Sequence, residues 1–190
     1  IDVSQSPETP GEREAREKRE RTYRLNELAM KYYRKVLQES QAAAVAREYL
    51  ASREVGPEAQ EMFGIGYAPP ASNGLIAAMG RSGVPPHLLV EAGLAGGDTA
   101  GPKQRYYDRF RNRVVVPIVN VYGRVVGFGA RALGDSMPKY LNSPESPVFN
   151  KRTNLYGLNL AADRIRADGA AVVVEGYLDV VAAHQAGLAN

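Results

Sequence analysis

Near the end of the chain two acids, Glu175 and Asp179, stand four residues apart around Gly176-Tyr177-Leu178, and the first of them follows the run Ala170-Ala171-Val172-Val173-Val174. Carboxylates are hard oxygen donors, so a pair at this spacing suits a divalent metal or the phosphate that such a metal carries. An unpaired Glu is costly inside a buried strand, which makes its position at the end of the apolar run informative. Gly176 beside it permits close backbone approach. The pattern predicts a strand over 170–174 and a helix beginning within 177–180. Asp179 would then sit in the first helical turn, where the positive end of the helix dipole favours an acid. Both acids could face one crevice. Alone the pair does not decide, because an acid in a first turn is also ordinary capping.

The second chemical feature is a basic segment. Between Lys103 and Arg152 there are ten Lys and Arg against three acids, whereas the remaining residues carry fourteen basic and eighteen acidic groups, although the net charge is only +3. Such a concentration reads as a local anion-binding surface, and nucleic acid is the usual large polyanion. Within 103–113 five cations are interleaved with Tyr106, Tyr107 and Phe110, the mixture that tracks phosphates while offering rings to bases. A solvated strand face is the competing reading.

Composition excludes other chemistries. No cysteine is present, which removes disulfides, thiolate catalysis and Cys-ligated zinc from these residues, and two histidines, His87 and His184, are too few for a His-based cage. No apolar run approaches the roughly 18 residues that span a bilayer, so no membrane role is expected and a cytoplasmic setting is. The chain opens at Ile1 without an initiating Met and stops at Asn190. It is expected to be a fragment, because a strand-helix unit at its end calls for a further parallel strand.

The elements that must position these groups can be read in order. Residues 1–11, with Pro7, Pro10 and Gly11, look like a linker. From 12 to 24 the chain is mostly Glu, Arg and Lys, with Glu12/Arg16, Glu14/Lys18 and Glu17/Arg21 at the spacing that supports a solvated helix. Leu25, Leu28, Ala29, Tyr32 and Val36 then mark an apolar face, so one long helix is expected to about residue 38. A second helix over 42–52 is expected to bury Val45, Tyr49 and Leu50, followed by short helices over 57–63, 74–82 and 85–91, with His87 on the surface. Residues 95–102 are Gly-rich and read as flexible. Apolar runs at 114–119 and 124–128 flank Asn120-Val121-Tyr122-Gly123, a hairpin signal. A long loop over 133–154 and a helix over 158–167 complete the pass.

Five blocks carry a family resemblance: Arg109-Phe110-Arg111-Asn112-Arg113; residues 123–131 from Gly123 to Arg131; Pro138-Lys139-Tyr140-Leu141-Asn142-Ser143-Pro144-Glu145; Asn154-Leu155-Tyr156-Gly157; and Val174-Glu175-Gly176-Tyr177-Leu178-Asp179. In this order and spacing they closely resemble bacterial DnaG-type DNA primase. Tyr49-Leu50 with Arg53, and residues 64–70, extend the likeness to nearly everything from residue 25 onward. It implies an α+β amino-terminal subdomain followed by the beginning of an α/β Toprim (doubly wound) subdomain. The implied division is a linker and charged helix start at 1–24, the basic α+β subdomain at 25–154, and the first part of Toprim at 155–190.

By resemblance, Glu175 is the Toprim glutamate that binds catalytic Mg²⁺ (or Mn²⁺) and Asp179 its companion, with a further Asp-x-Asp motif expected beyond Asn190. Arg109, Arg111, Arg131, Lys139, Tyr140 and Lys151 match the family's single-strand and nucleotide-contacting positions. Arg53 matches a basic position of the first subdomain, although Glu54 stands where the family usually has Gly. The implied function is synthesis of short RNA primers from ribonucleoside triphosphates on single-stranded DNA. Two Mg²⁺ ions would stabilise charge on the attacking and leaving oxygens. A replicative helicase is the implied partner, zinc is implied only in an upstream domain, and a monomer is expected. The chain alone is not expected to prime efficiently. A topoisomerase or OLD-type nuclease would share Glu175 and Asp179 but not the 138–145 block, and a non-catalytic single-strand-binding module would leave the acids structural.

Overall fold

The computed structural model describes residues 8–98 and 105–190. Most of the expected linker, Lys103 and the end of the expected Gly-rich segment therefore lie outside the described residues. Helix α1 (Pro10–Glu39) runs unbroken for 30 residues. Its start is fixed by a reciprocal cap: the Thr9 hydroxyl accepts the Glu12 N–H at 3.3 Å while the Glu12 carboxylate accepts the Thr9 N–H at 2.8 Å. Because the cap takes Glu12, Arg16 pairs instead with Glu8, and Lys18 and Arg21 reach out to Glu91. The buried stripe is Thr22, Leu25, Asn26, Ala29, Tyr33 and Leu37. Leu28, expected inside, is exposed, as is Val45 of the next helix.

A 3₁₀ turn (Gln41–Ala43) leads into α2 (Ala44–Ser52), and then come α3 (Pro57–Met62), β1 (Gly66–Ala68), α4 (Gly74–Gly80) and α5 (Pro86–Glu91). Strands β2 (Ala95–Asp98) and β3 (Arg105–Asp108) pair with each other. Residues 95–98, expected to be flexible, are thus a strand. Gly96 and Gly97 are what allow it, since a Cβ on either would strike the ring of Tyr107 or Tyr106 at under 3 Å. The main sheet is antiparallel in the order β1-β4-β5-β6, with β4 (Arg113–Val119), β5 (Val125–Ala132) and a short β6 (Tyr140–Asn142) inside the stretch expected to be loop. The β4–β5 turn is made as the sequence implies: the Asn120 side chain accepts the N–H of Tyr122 and of Arg124, each at 3.0 Å.

Strand β4 is buried along almost its whole length, because both faces of the sheet are covered. On one face α1 packs against Phe110, Val115 and Phe128. Its approach is so close that a Cβ at Gly66 would lie 2.5 Å from the Tyr33 backbone. On the other face Val114 and Val116 meet α2, α3 and two helices from the end of the chain, α6 (Leu158–Asp168) and α7 (Tyr177–Gln185). Pro117 is tolerated in β4 because β1 pairs only as far as Val115, leaving β4 an edge there.

The expected strand over 170–174 is not one. These residues pair with no strand among those described: the Val172 N–H donates to the Asn190 carbonyl at 3.2 Å, and Val173 is 75% exposed. A β-branched run forms a strand only where a ladder can receive it.

Candidate nucleic-acid interface

Arg131 of β5 and Tyr140 of β6 are directly opposed across the ladder. The Arg131 guanidinium donates to the Tyr140 hydroxyl at 2.8 Å and lies 5.5 Å from the centre of that ring and 5.0 Å from the ring of Tyr49 on α2. Arg53, at the end of α2, stacks on Tyr49 at 5.6 Å. These four side chains, with Gly176, Tyr177 and Asp179 at the start of α7, line one cavity of about 120 Å³. Inside this region the Arg131 Nε–H and the Tyr49 hydroxyl are buried without a hydrogen-bond partner among the described residues. A guanidinium flanked by rings, with no carboxylate partner among the described residues, has the donor geometry that suits an acceptor such as a phosphate oxygen. Arg131 and Tyr49 also line a neighbouring cavity with Met137 and Lys139.

The remaining cations divide. Arg109 directs Nε and Nη2 at one oxygen, the Asn142 carbonyl, at 3.2 and 2.9 Å. Among the described residues this leaves three of its five N–H donors without a partner, and burial pushes its pKa down from the usual guanidinium value. Arg111 is exposed and stacks on Tyr107 at 5.3 Å. The Lys139 side chain is exposed on the rim, while Lys151 lies in an exposed turn where its N–H donates to Glu145, and it lines neither cavity. Arg113 is buried, and burial, then Arg111, lowers its pKa. Arg124 is taken by Glu20 and Glu27 and lies over the ring of Tyr23 at 4.0 Å.

Of the two acids, Asp179 lines the cavity and Glu175 does not. Both are exposed. One Asp179 oxygen accepts the Gly176 N–H at 3.0 Å, capping α7, and the other has no hydrogen-bond partner among the described residues. Among the described residues no group of three or more His, Cys, Asp or Glu is gathered to hold a metal. Two exposed carboxylates are oxygen donors of the chemistry that a hard divalent cation takes as part of a ligand set completed by water.

Three site residues lay outside the sequence reading of the site. Tyr49, expected in the core, is a half-buried ring beneath two guanidiniums. Asn142 and Tyr177 hold α7 to the sheet: the Tyr177 hydroxyl donates to Asn142 Oδ1 at 2.8 Å. The Tyr177 ring lies over Gly129, where a Cβ would come within 2.3 Å of it. Burial raises the Tyr177 pKa above the usual phenol value. At its far end α7 is tied to the α2–α3 turn, where Gln185 donates to the Glu54 carbonyl at 2.8 Å and accepts the Gly56 N–H at 3.0 Å. Glu54 adopts φ 58° there, the left-handed conformation that glycine takes most readily. Asn142 could have been found from its place in the 138–145 block.

Residues 32–162, more than half of the chain, match the family described as DNA primase catalytic core, N-terminal domain. This chain belongs to that family. It is 42% identical over 168 residues to the DNA primase of Pseudomonas putida, a match covering 88% of this chain and 25% of that protein. The RNA polymerase domain of Mycobacterium tuberculosis primase DnaG, in complex with a double-stranded DNA oligomer bearing a 6-nucleotide overhang, superposes with a TM-score of 0.82 at 38% identity. That match covers 90% of this chain and 52% of the other. The Aquifex aeolicus primase, comprising zinc-binding and RNA polymerase domains, gives 0.80 at 36% identity, over 91% of this chain and 41% of the other. The chain therefore spans about a quarter of the length of its curated relative and about half that of the solved domains. The α+β architecture is that of the primase amino-terminal subdomain, and among the described residues no helix is long and apolar enough to cross a membrane.

Proposed function

We propose that this chain forms the template- and nucleotide-facing part of a primase polymerase core, which makes short RNA primers on single-stranded DNA by metal-dependent nucleotidyl transfer. The observation that carries the proposal is the Arg131 guanidinium. It lies between Tyr49 and Tyr140 with a buried donor unused, in the cavity that also receives Arg53 and the first turn of the acid-bearing helix. Arg53, Arg131, Lys139 and Tyr140 would hold the nucleotide, its phosphates on the forked guanidiniums and its base against a ring. Arg109, Arg111 and Lys151 would follow the template backbone. Glu175 and Asp179 would hold Mg²⁺ or Mn²⁺, which when bound supplies charge stabilisation to the attacking and leaving oxygens.

In this reading residues 25–154 are the basic subdomain and 155–190 the beginning of Toprim. The whole protein would act as a monomer in the cytoplasm, at the replication fork with a replicative helicase, and zinc would belong to a separate domain. The DNA held by the M. tuberculosis domain supports the template assignment. The experiment is primer synthesis on single-stranded DNA with ribonucleotides and Mg²⁺, the chain being carried in its full-length context. Glu175→Gln should reduce synthesis by a hundredfold or more, on the order of what metal ligands contribute. Undiminished synthesis in that variant would remove Glu175 from the site.

A further inference from the structure

Tyr177 carries a hydroxyl that its packing does not require. The ring alone fills the gap over Gly129 and meets Tyr156 edge-on at 4.9 Å, and Phe would do both. The hydroxyl, half-buried at the first residue of α7, instead reaches Asn142 Oδ1. Among the described residues this is the side-chain hydrogen bond that joins the first turn of α7 to the sheet. Asn142 is the last residue of β6, and its carbonyl takes the Arg109 fork. One residue is therefore bonded both to a cation of the basic face and to the helix that starts between the two acids. The far end of α7 is fixed separately by Gln185, and apolar packing seats the helix on the sheet, so the Tyr177 bond is the directional contact that can set how its first turn meets β5 and β6.

We infer that Tyr177 and Asn142 are a positioning pair that sets the Glu175 and Asp179 carboxylates against the basic face of β5 and β6. This deepens the proposed function and rests on its assignment of the two acids to a metal. Tyr177 lines the cavity beside Asp179, and the role inferred for the pair is to hold the turn on which the acids are mounted. Supports of this kind typically alter metal affinity by 10- to 100-fold when removed from a direct ligand, and one bond acting through a helical turn should give about the lower figure.

The test uses Mn²⁺ binding, read by electron paramagnetic resonance on the protein with this chain in its full-length context, alongside its melting temperature. Four variants are needed: Tyr177→Phe, Asn142→Leu, the two combined, and Glu175→Gln. Each single change of the pair should weaken Mn²⁺ binding about tenfold while the protein stays folded at the assay temperature. The combined variant should be no worse than either one, because both remove the same bond. Glu175→Gln should abolish binding at the site. If Glu175→Gln abolishes Mn²⁺ binding but Tyr177→Phe and Asn142→Leu leave it unchanged, the metal assignment stands and the positioning pair is overturned. Losses that multiply in the combined variant would also overturn it, since they would mark two independent packing defects. If Glu175→Gln binds Mn²⁺ as the unaltered protein does, the acidic site itself fails and the pair has nothing to position.

Discussion

Arg124 and Arg131 bracket the same strand, seven residues apart, and each guanidinium lies on a tyrosine ring. Arg124 is surrounded by acid: Glu20 at 2.9 Å and Glu27 at 3.8 Å, both from α1. Arg131 has no carboxylate partner among the described residues. It has two rings, one hydroxyl and a buried Nε–H left over. The first is a closed account that ties α1 to the hairpin. The second is an open one. Charge density along the sequence treats the two alike, and what separates them here is whether the fold supplies a counter-charge; in the proposed function the cation without one is the one that binds.

The contrast can be broken by giving Arg131 what Arg124 already has. In Tyr140→Glu a carboxylate replaces the hydroxyl opposite Arg131, and single-stranded DNA or nucleotide affinity should fall about ten- to a hundredfold, measured by fluorescence anisotropy. The loss combines a neutralised guanidinium with a missing stacking ring. A smaller effect is expected at the seat of α7. Gly129→Ala drives a methyl into the Tyr177 ring and should cost about 1–3 kcal/mol in denaturant unfolding, displacing the helix from the open cation while leaving the Arg124 pairs in place.

The smallest effect concerns an acid inside the basic segment that serves structure. Asp108 is buried and accepts the N–H of Leu75 and Ile76 at 2.7 and 3.1 Å. Burial raises its pKa above the usual Asp value, and the backbone N–H groups of Leu75, Ile76 and Gly74, then Arg111, offset part of that. A raised folded pKa means that the folded state binds the proton more tightly. Its stabilising contribution is therefore full below the unfolded pKa and is lost as pH rises through the folded one. Unfolding curves of the unaltered protein and of Asp108→Asn should thus converge or cross on the alkaline side of this window, with the unaltered protein gaining relative stability in acid.

The sequence carried those parts of the fold that local chemistry dictates. The α1 helix follows from its apolar spacing, and the β4–β5 hairpin from Asn120 and Gly123. Helix α6 follows from a stop at Gly169. What escaped depends on partners distant in sequence. Val172 to Val174 have the composition of a strand but no ladder to join among the described residues, while β6 is a strand only because β5 lies beside it. The site divides the same way. Arg53, Arg131, Tyr140 and Asp179, expected from the resemblance, line one cavity, and Glu175, expected with them, does not. Tyr49, assigned to the core, became a stacking ring only once α2 was laid against β5. The bond from Tyr177 to Asn142 spans 35 residues, which no local periodicity encodes.

The central claim is that the unpaired cation, and not the paired one, contacts nucleic acid. It is tested most directly by titrating single-stranded DNA into the unaltered protein, Arg131→Ala and Arg124→Ala over a series of salt concentrations. Arg131→Ala should bind about tenfold more weakly and lower the slope of log affinity against log salt by about one, as expected when one phosphate contact is removed. Arg124→Ala should keep the affinity and the slope of the unaltered protein while melting at a lower temperature. Equal losses of affinity and slope in both variants would contradict the account, because the basic segment would then act as a diffuse field to which pairing is irrelevant.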